Sequence, residues 1–508
     1  MRRSMKVLAA VTLWAASGAA AGAQSNHPAT TPRRGGSATR PLAQKDKQKL
    51  NQKVDAVFAE YDKPDSPGCS LGVIRDGQLI YTRGYGRANL EHHLPITSRT
   101  VFDIGSTSKQ FTAASILLLE QQGQLSRDDD IRKFVPEIPD YGQRITIRHL
   151  LHHTSGLRDY LTLMSLAGID FHSVTGDHDA LAIIARQKQL NFPPGAEHLY
   201  SNSGYFLLSI IVQRASGKNL RAFAQQDIFG PLAMRDTHYH NDHAEVVPNR
   251  ASAYDQKEGG GYAIDMSNFE QLGDGAVFTT VEDLLKWDQN FYQPRVGGAA
   301  LVAGLLAKGH LNSSKELEYA TGVVVSKHRG LPTVSHGGAW GGYRAELLRF
   351  TEQKFSVVCQ CNLGSTNPSQ LARRVAEVYL ADQMEPTKAQ PAATDAPTNA
   401  AAGAAAVSEA DLGKAAPSPA ELAPFAGAYY SEELDVTYEL NEKDGKLWTR
   451  IRTNKPAELQ PAGRDLFVAP FGVRFEFARP DASRQGRPAS FAVQAGRVRN
   501  IRFVRRGE

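Results

Sequence analysis

The sequence predicts an α+β fold: an antiparallel sheet flanked by helices and interrupted by a helical insertion, followed by an all-β C-terminal barrel. Three observations predict it. Strand-like runs stand at both ends of the first 383 residues, CSLGVIRDGQLIYTRGYG early and YATGVVVSKH, PTVSHGG, YRAELLRF and KFSVVCQC late. The stretch between them, roughly 110 to 320, reads as helices joined by long loops. After an Ala/Pro/Thr-rich segment, the last ninety or so residues read as successive short strands with turn signals at Asp444-Gly445 and Ala495-Gly496.

Taken in order, residues 1–23 carry a basic head (Arg2, Arg3, Lys6), an apolar stretch from Val7 to Ala16 and small residues up to Ala23. This is the pattern of a secretory signal peptide cleaved near Ala23, and it places the mature protein in the periplasm or outside the cell. Residues 24–43 are polar with Pro and Gly and read as a disordered leader. Leu50, Val54, Phe58 and Tyr61 recur at helical spacing and open the first domain, 44–383. Asp76-Gly77 marks a hairpin between the first two strands. Thr280-Val281-Glu282-Asp283 is a helix start, and LARRVAEVYLADQ closes the region as a helix. Residues 384–418 lack large apolar side chains, so they cannot bury a core and are expected to be a linker. The linker is expected to leave the barrel, 419–508, separable, and the barrel to be small, closed and lipocalin-like.

Bulk properties exclude several classes. A net charge of +5 over 508 residues does not argue for nucleic acid, and no nucleic-acid motif is present. After the signal, no run of about eighteen apolar residues offers a membrane span. The three cysteines, Cys69, Cys359 and Cys361, are few for an exported chain and read as buried apolar thiols. Cys359 and Cys361 lie two apart on one strand, an awkward geometry for bonding to each other.

The chemistry centres on GSTSK, residues 105–109. Ser106 and Lys109 are three apart at the head of a helix and share a face. A serine hydroxyl is a poor nucleophile until a base takes its proton, and a lysine can do so only when desolvation or a nearby cation lowers its pKa. Free N–H groups at the helix start suit an oxyanion. The bland alternative is a capping serine beside a solvated lysine, and S-x-x-K alone is a weak signal. Context strengthens it. Tyr200-Ser201-Asn202 precedes an amphipathic helix, and His336-Gly337-Gly338 ends a strand.

With these three motifs in this order, the chain resembles the serine β-lactamase and penicillin-binding protein superfamily. Within it the class C β-lactamase-like branch, with its D-aminopeptidase, D,D-carboxypeptidase and esterase relatives, is the most similar. The flanks ITIRHLLHHTSGL, PGAEHLYSNSGY and GDGAVFTTVEDLLKW share the resemblance, which covers roughly 45–382. It implies a β-lactamase/transpeptidase-like fold, Ser106 as acyl-accepting nucleophile and Lys109 with Tyr200 as general base. It also implies Asn202 holding the substrate amide or the Lys109 ammonium, and the N–H groups of Ser106 and Ala339 as the oxyanion hole. Gly337 and Gly338 are then expected to let substrate approach the strand closely. No cofactor or metal is implied. The departure is His336, where much of the superfamily has a lysine. An imidazole of ordinary pKa is charged only near or below pH 6.5, so carboxylate recognition is expected to weaken unless Arg344 on the next strand supplies charge.

Other signals read as structural. Ser70 in GCSLG matches G-x-S-x-G, but a hairpin follows it where the nucleophile elbow needs a helix. His238, His240 and His243 read as a solvated loop rather than a metal site, and His149, His152 and His153 as turn or packing residues. The five arginines of GRVRNIRFVRRGE read as a solvated barrel wall. The expected function is an exported serine hydrolase that forms an acyl-enzyme on Ser106 and cleaves amide or ester bonds of D-amino-acid peptides, esters or, weakly, β-lactams. The alternative is a penicillin-recognising envelope protein that acylates but turns over poorly. The partner is a small-molecule or peptide substrate, with peptidoglycan-derived peptides among the candidates.

Overall fold

The computed structural model describes residues 44–386, 418–479 and 486–507. The signal peptide, the leader and most of the linker expected from the sequence lie outside the described residues.

Six antiparallel strands form the main sheet: β1 (Cys69–Arg75), β2 (Gln78–Tyr85), β3 (Val324–His328), β4 (Leu331–Trp340), β5 (Tyr343–Phe350) and β6 (Phe355–Cys361). Their order across the sheet is β3-β4-β5-β6-β1-β2. The hairpin at Asp76-Gly77 forms as expected, both residues having positive φ. The two ends of the domain meet where β1 lies against β6, with Cys69 opposite Cys361. The long insertion between β2 and β3 supplies the helices, so one sheet is built from the two ends of the domain.

That pairing corrects the reading of the cysteines. Cys69 and Cys361 form a disulfide, their Cα atoms 4.0 Å apart across the β1–β6 ladder. Sequence spacing compared only Cys359 with Cys361. The sheet register brings the distant Cys69 opposite Cys361, while Cys359 stays a buried thiol with its Sγ 3.6 Å from that of Cys361.

Helix Lys109–Gln121 runs through the centre of the domain, with every residue from Lys109 to Leu119 buried. Its run of straight-chain and small apolar residues favours a helix and gives it no polar face to turn outward. Helix Asn202–Ser216 packs beside it and ends at Gly217, a left-handed C-cap. Helix Val281–Asn290 starts at Thr280, whose hydroxyl accepts from Asp283 N at 3.1 Å.

Eight strands, from Gly427–Ser431 to Val498–Arg505, close into an up-and-down barrel. Alternate residues point inward, as in Val436, Tyr438 and Leu440. The interior is filled by aromatic rings: Tyr429, Tyr438, Phe467, Phe475, Phe477, Phe491 and Phe503 are all buried. Tyr438 and Phe503 have ring centroids 4.3 Å apart.

The barrel is not held by its linker alone. Arg158 forms an ion pair with Glu433 at 2.5 Å, with side chains 1% and 8% exposed. Glu433 also accepts from Lys188 N, and Arg158 donates to Asn500 O. The Tyr438 hydroxyl leaves the barrel to donate to Leu166 O at 2.6 Å. The expectation of a separable barrel therefore meets an interface that covers charged groups. A chain cut near residue 385 would leave the Arg158 guanidinium without its carboxylate. Glu433→Ala is expected to destabilise the protein by about 3–5 kcal/mol, the cost of leaving one buried charge unpaired. Urea unfolding followed by circular dichroism checks this, and a loss below about 1 kcal/mol would show that the pair is solvent-screened.

Candidate active site

Ser106 lies in a single 3-10 turn, Gly105–Ser108, that leads into the Lys109 helix. In a 3-10 turn residues i and i+3 eclipse, so Ser106 and Lys109 stand side by side. The Lys109 ammonium donates to Ser106 Oγ at 3.1 Å, Asn202 Oδ1 at 2.9 Å and Asp274 O at 2.5 Å. Lys109 is fully buried, and burial drives its pKa well below the ordinary lysine value, with Arg497 pushing the same way and Asp274 and Asp159 opposing. Burial likewise raises the Asp274 carboxyl, which accepts from the Tyr160 hydroxyl at 3.2 Å.

The turn is wedged against β4. A Cβ on Gly105 (φ +49°) would sit 2.6 Å from Ala339 N, and one on Gly338 would sit 1.9 Å from Ile104 O. The expected reason for glycine at 338 was access for substrate. The observed reason is access for the nucleophile's own turn, which needs bare backbone on both sides. A Cβ on Gly337 would instead meet Glu346 Oε2 at 2.9 Å. Ala339 faces the cavity of about 210 Å³ that also holds Ser106, Asn202, Asp274 and Trp340.

Tyr200 is on the loop just before helix Asn202–Ser216. Its ring centroid lies 4.9 Å from Lys109 Nζ. Its hydroxyl has no hydrogen-bond partner among the described residues, although Ser106 lies near enough to hold its pKa down against a larger upward push from burial. Asn202 opens that helix, and its N–H donates to Asp159 Oδ2 at 2.7 Å. Sequence reasoning missed Asp159 and Asp274 as members of this network. Asp274 sits inside the flank GDGAVFTTVEDLLKW, and Asp159 two residues past the end of ITIRHLLHHTSGL. His153, read as a turn or packing residue, lies with its ring 4.1 Å from that of Tyr200 and accepts from Ser201 N at 3.2 Å.

Comparison with known proteins gives this geometry a context. A sequence profile described as Beta-lactamase matches residues 54–382. The chain belongs to the beta-lactamase family. It is a serine hydrolase. Penicillin-binding protein 4* of Bacillus subtilis is 27% identical over 452 residues, 85% of this chain and 94% of the relative. A D-aminopeptidase of Gluconobacter oxydans is 28% identical over 315 residues, 62% of this chain and 58% of the relative. The penicillin-binding protein homologue from Pyrococcus abyssi shares the fold with a TM-score of 0.60 at 22% identity, over 91% of this chain and all of that one.

In this beta-lactamase-family chain His336, where the resemblance leads one to expect a lysine, lies on β4. Its Nε2 is 3.1 Å from the Tyr319 hydroxyl and its Nδ1 2.6 Å from Gly337 O. Burial and the neighbouring Lys109 pull its pKa down to about 3. The expectation of an imidazole that charges in mild acid is thereby corrected, because a buried imidazole flanked by an amine resists protonation. Arg344 does not supply the charge either. It donates to Gly341 O and Tyr343 O and faces Asp255 and Asp265, and among the described residues that line the two cavities beside Ser106 and His336 it does not appear.

The rejected signals also have places. Ser70 is buried in β1 and donates to Thr97 O at 3.0 Å. His238 and His240 approach within 3.3 Å and His240 lies 3.6 Å from Glu245, but Glu245 is already gripped by both guanidinium nitrogens of Arg221. His243 pairs with Glu270. His149 completes a capping box with Thr146, and His152 meets Ala320 O. No described helix is long and apolar enough to cross a membrane.

The depressed imidazole of His336 makes folding pH-dependent. In the unfolded chain it titrates near 6.5, so the unfolded state takes up a proton that the folded state refuses. Its contribution is present above about pH 6.5 and is lost progressively as pH falls towards about 3, the folded value. His152 and His240, both pulled down to about 4 by burial, act in the same direction. Stability is therefore expected to fall below pH 6.5, and His336→Gln to flatten that fall by up to about 1.4 kcal/mol per pH unit. Denaturant midpoints at half-unit steps from pH 7.5 to 4 measure it, and parallel curves for the two proteins would place the titration elsewhere.

Proposed function

We propose that the protein is an exported serine hydrolase that forms an acyl-enzyme on Ser106 and cleaves amide or ester bonds. The observation that carries this reading is the contact of a fully buried, acidified Lys109 with the Ser106 hydroxyl at 3.1 Å. In its neutral form the Lys109 amine takes the Ser106 proton as Oγ attacks the acyl carbon. The developing oxyanion is received by the N–H groups of Ser106 and Ala339, on the two backbones that Gly105 and Gly338 let meet. Tyr200, its ring against Lys109, shares the proton transfer and passes the proton to the departing amine or alkoxide. Water then repeats the sequence and returns free Ser106. Asn202 orients the Lys109 amine and is within reach to hold the substrate amide. The basic and apolar first 23 residues support export, and D-amino-acid peptides, esters and weak β-lactam turnover are the substrate range.

One comparison favours a second reading. The relative matched over 85% of this chain carries the name of a penicillin-binding protein. On that reading acylation is followed by slow hydrolysis. The lifetime of the labelled species separates the two.

Ser106→Ala is expected to abolish labelling by a fluorophosphonate and by a fluorescent penicillin while the circular dichroism spectrum is retained. Labelling that persists would remove Ser106 from the mechanism. Lys109→Ala and Tyr200→Phe are each expected to lower the acylation rate by about a thousandfold, and the double variant by far less than the product, since residues acting as a unit are not additive. Stopped-flow acylation measures the cycle, and plain additivity would mean that the two act independently.

A further inference from the structure

The C-terminal arginines, expected to form a solvated barrel wall, include one that reaches the site. Arg497 lies in the turn between barrel strands Ser490–Ala495 and Val498–Arg505. Asn191 pins that turn from the catalytic domain, its Nδ2 donating to Arg497 O and its Oδ1 accepting from Arg499 N, both at 2.8 Å. Asn191 N is itself tied to Gly156 O at 2.7 Å, in the loop that follows His153. Arg499 continues the clamp by pairing with Glu197.

The guanidinium so placed has its central carbon 4.7 Å from the Tyr200 ring centroid, and its side chain is only 12% exposed. The charged groups facing it include Asp159, with Oδ2 at 3.8 Å, and the Lys109–Asp274 pair behind Tyr200. Arg497 lines both the cavity that holds Ser106 and the neighbouring one, about 490 Å³, that holds His336. Among the described residues lining the Ser106 cavity, it alone carries a permanent positive charge. An arginine binds a carboxylate through a planar fork at any physiological pH, and it repels an ammonium.

We infer that Arg497, delivered by the barrel, sets the substrate class of the Ser106 site by selecting acyl donors that bear a carboxylate beside the scissile bond over donors that bear a free ammonium there. The inference rests on the acyl-enzyme reading of Ser106. The barrel thereby supplies the charge that neither His336 nor Arg344 brings to the cavity, and the site is incomplete without a residue from a strand turn nearly 400 positions downstream of the nucleophile.

The test compares kcat/KM for four probes: a penicillin and an N-acetyl-D-alanyl-D-alanine peptide, which bear carboxylates, p-nitrophenyl butyrate, which is neutral, and D-alanine p-nitroanilide, which bears an ammonium. Arg497→Gln is expected to lower the ratio of each carboxylate probe to the neutral ester by roughly 10- to 100-fold, the worth of a charge-assisted contact, mostly through KM. The ratio of the ammonium probe to the neutral ester should rise, and Arg497→Lys should restore part of the carboxylate preference. The two carboxylate probes tell a β-lactam from a peptide terminus as the favoured source. Ratios unchanged in Arg497→Gln overturn the inference, as does a wild-type enzyme that hydrolyses the neutral ester yet ignores both carboxylates. Because each ratio is internal to one protein, a general loss of activity or folding leaves it interpretable. Failure of the underlying reading looks different: labelling by the penicillin or the fluorophosphonate would then survive in Ser106→Ala.

Discussion

The burial of one ammonium organises this molecule. Lys109 sits in the middle of the domain at the start of its central helix, and water is replaced there by three oxygens: Ser106 Oγ, Asn202 Oδ1 and the Asp274 carbonyl. A lysine buried without such partners would cost several kcal/mol. Each partner comes from a different segment, so satisfying the amine brings together the 3-10 turn, the head of helix Asn202–Ser216 and the loop after Gln271. The same requirement explains the second ring of contacts. Asp159 holds Asn202 N, Tyr160 holds the Asp274 carboxyl, and His153 steadies the loop that carries Tyr200.

The sheet answers the other half of the constraint. The turn that bears Ser106 has to press against β4, and it does so where Gly105 and Gly338 remove the side chains that would block it. Thr107 then fastens the turn by donating to His336 O at 3.0 Å. The residue that occupies the strand position facing the site is thus tied on three sides, through its carbonyl, Nδ1 and Nε2. An imidazole fastened in this way is a neutral structural element, which is why the positive charge has to be sought elsewhere.

The barrel is integrated at two depths. Near the periphery Arg158 and Glu433 form a buried pair, and at the site Arg497 stands over Tyr200. Among the described residues aromatic rings fill the barrel interior, so its outward turns are what it presents to the catalytic domain. A rigid body fixed by a covered ion pair can hold a turn to within the tolerance that a binding site needs.

Local pattern by itself determined the strands, the central helix, the hairpin at Asp76-Gly77 and the closed barrel, because alternation and helical periodicity are properties of neighbouring residues. The three motifs around Ser106, Tyr200 and His336 were legible for the same reason, each being a short segment with its own chemistry. What only the tertiary structure decided were relations between distant segments. The Cys69–Cys361 bond depends on the register of β1 against β6, which no spacing of 292 residues encodes locally. The acidity of His336 depends on burial beside Lys109, and the place of Arg497 depends on how a barrel turn docks against Asn191. Five arginines within GRVRNIRFVRRGE look like a solvated wall until the docking surface is known. Local propensity carries no information about which face another domain will cover, and here that face holds the permanent positive charge that lines the nucleophile's cavity.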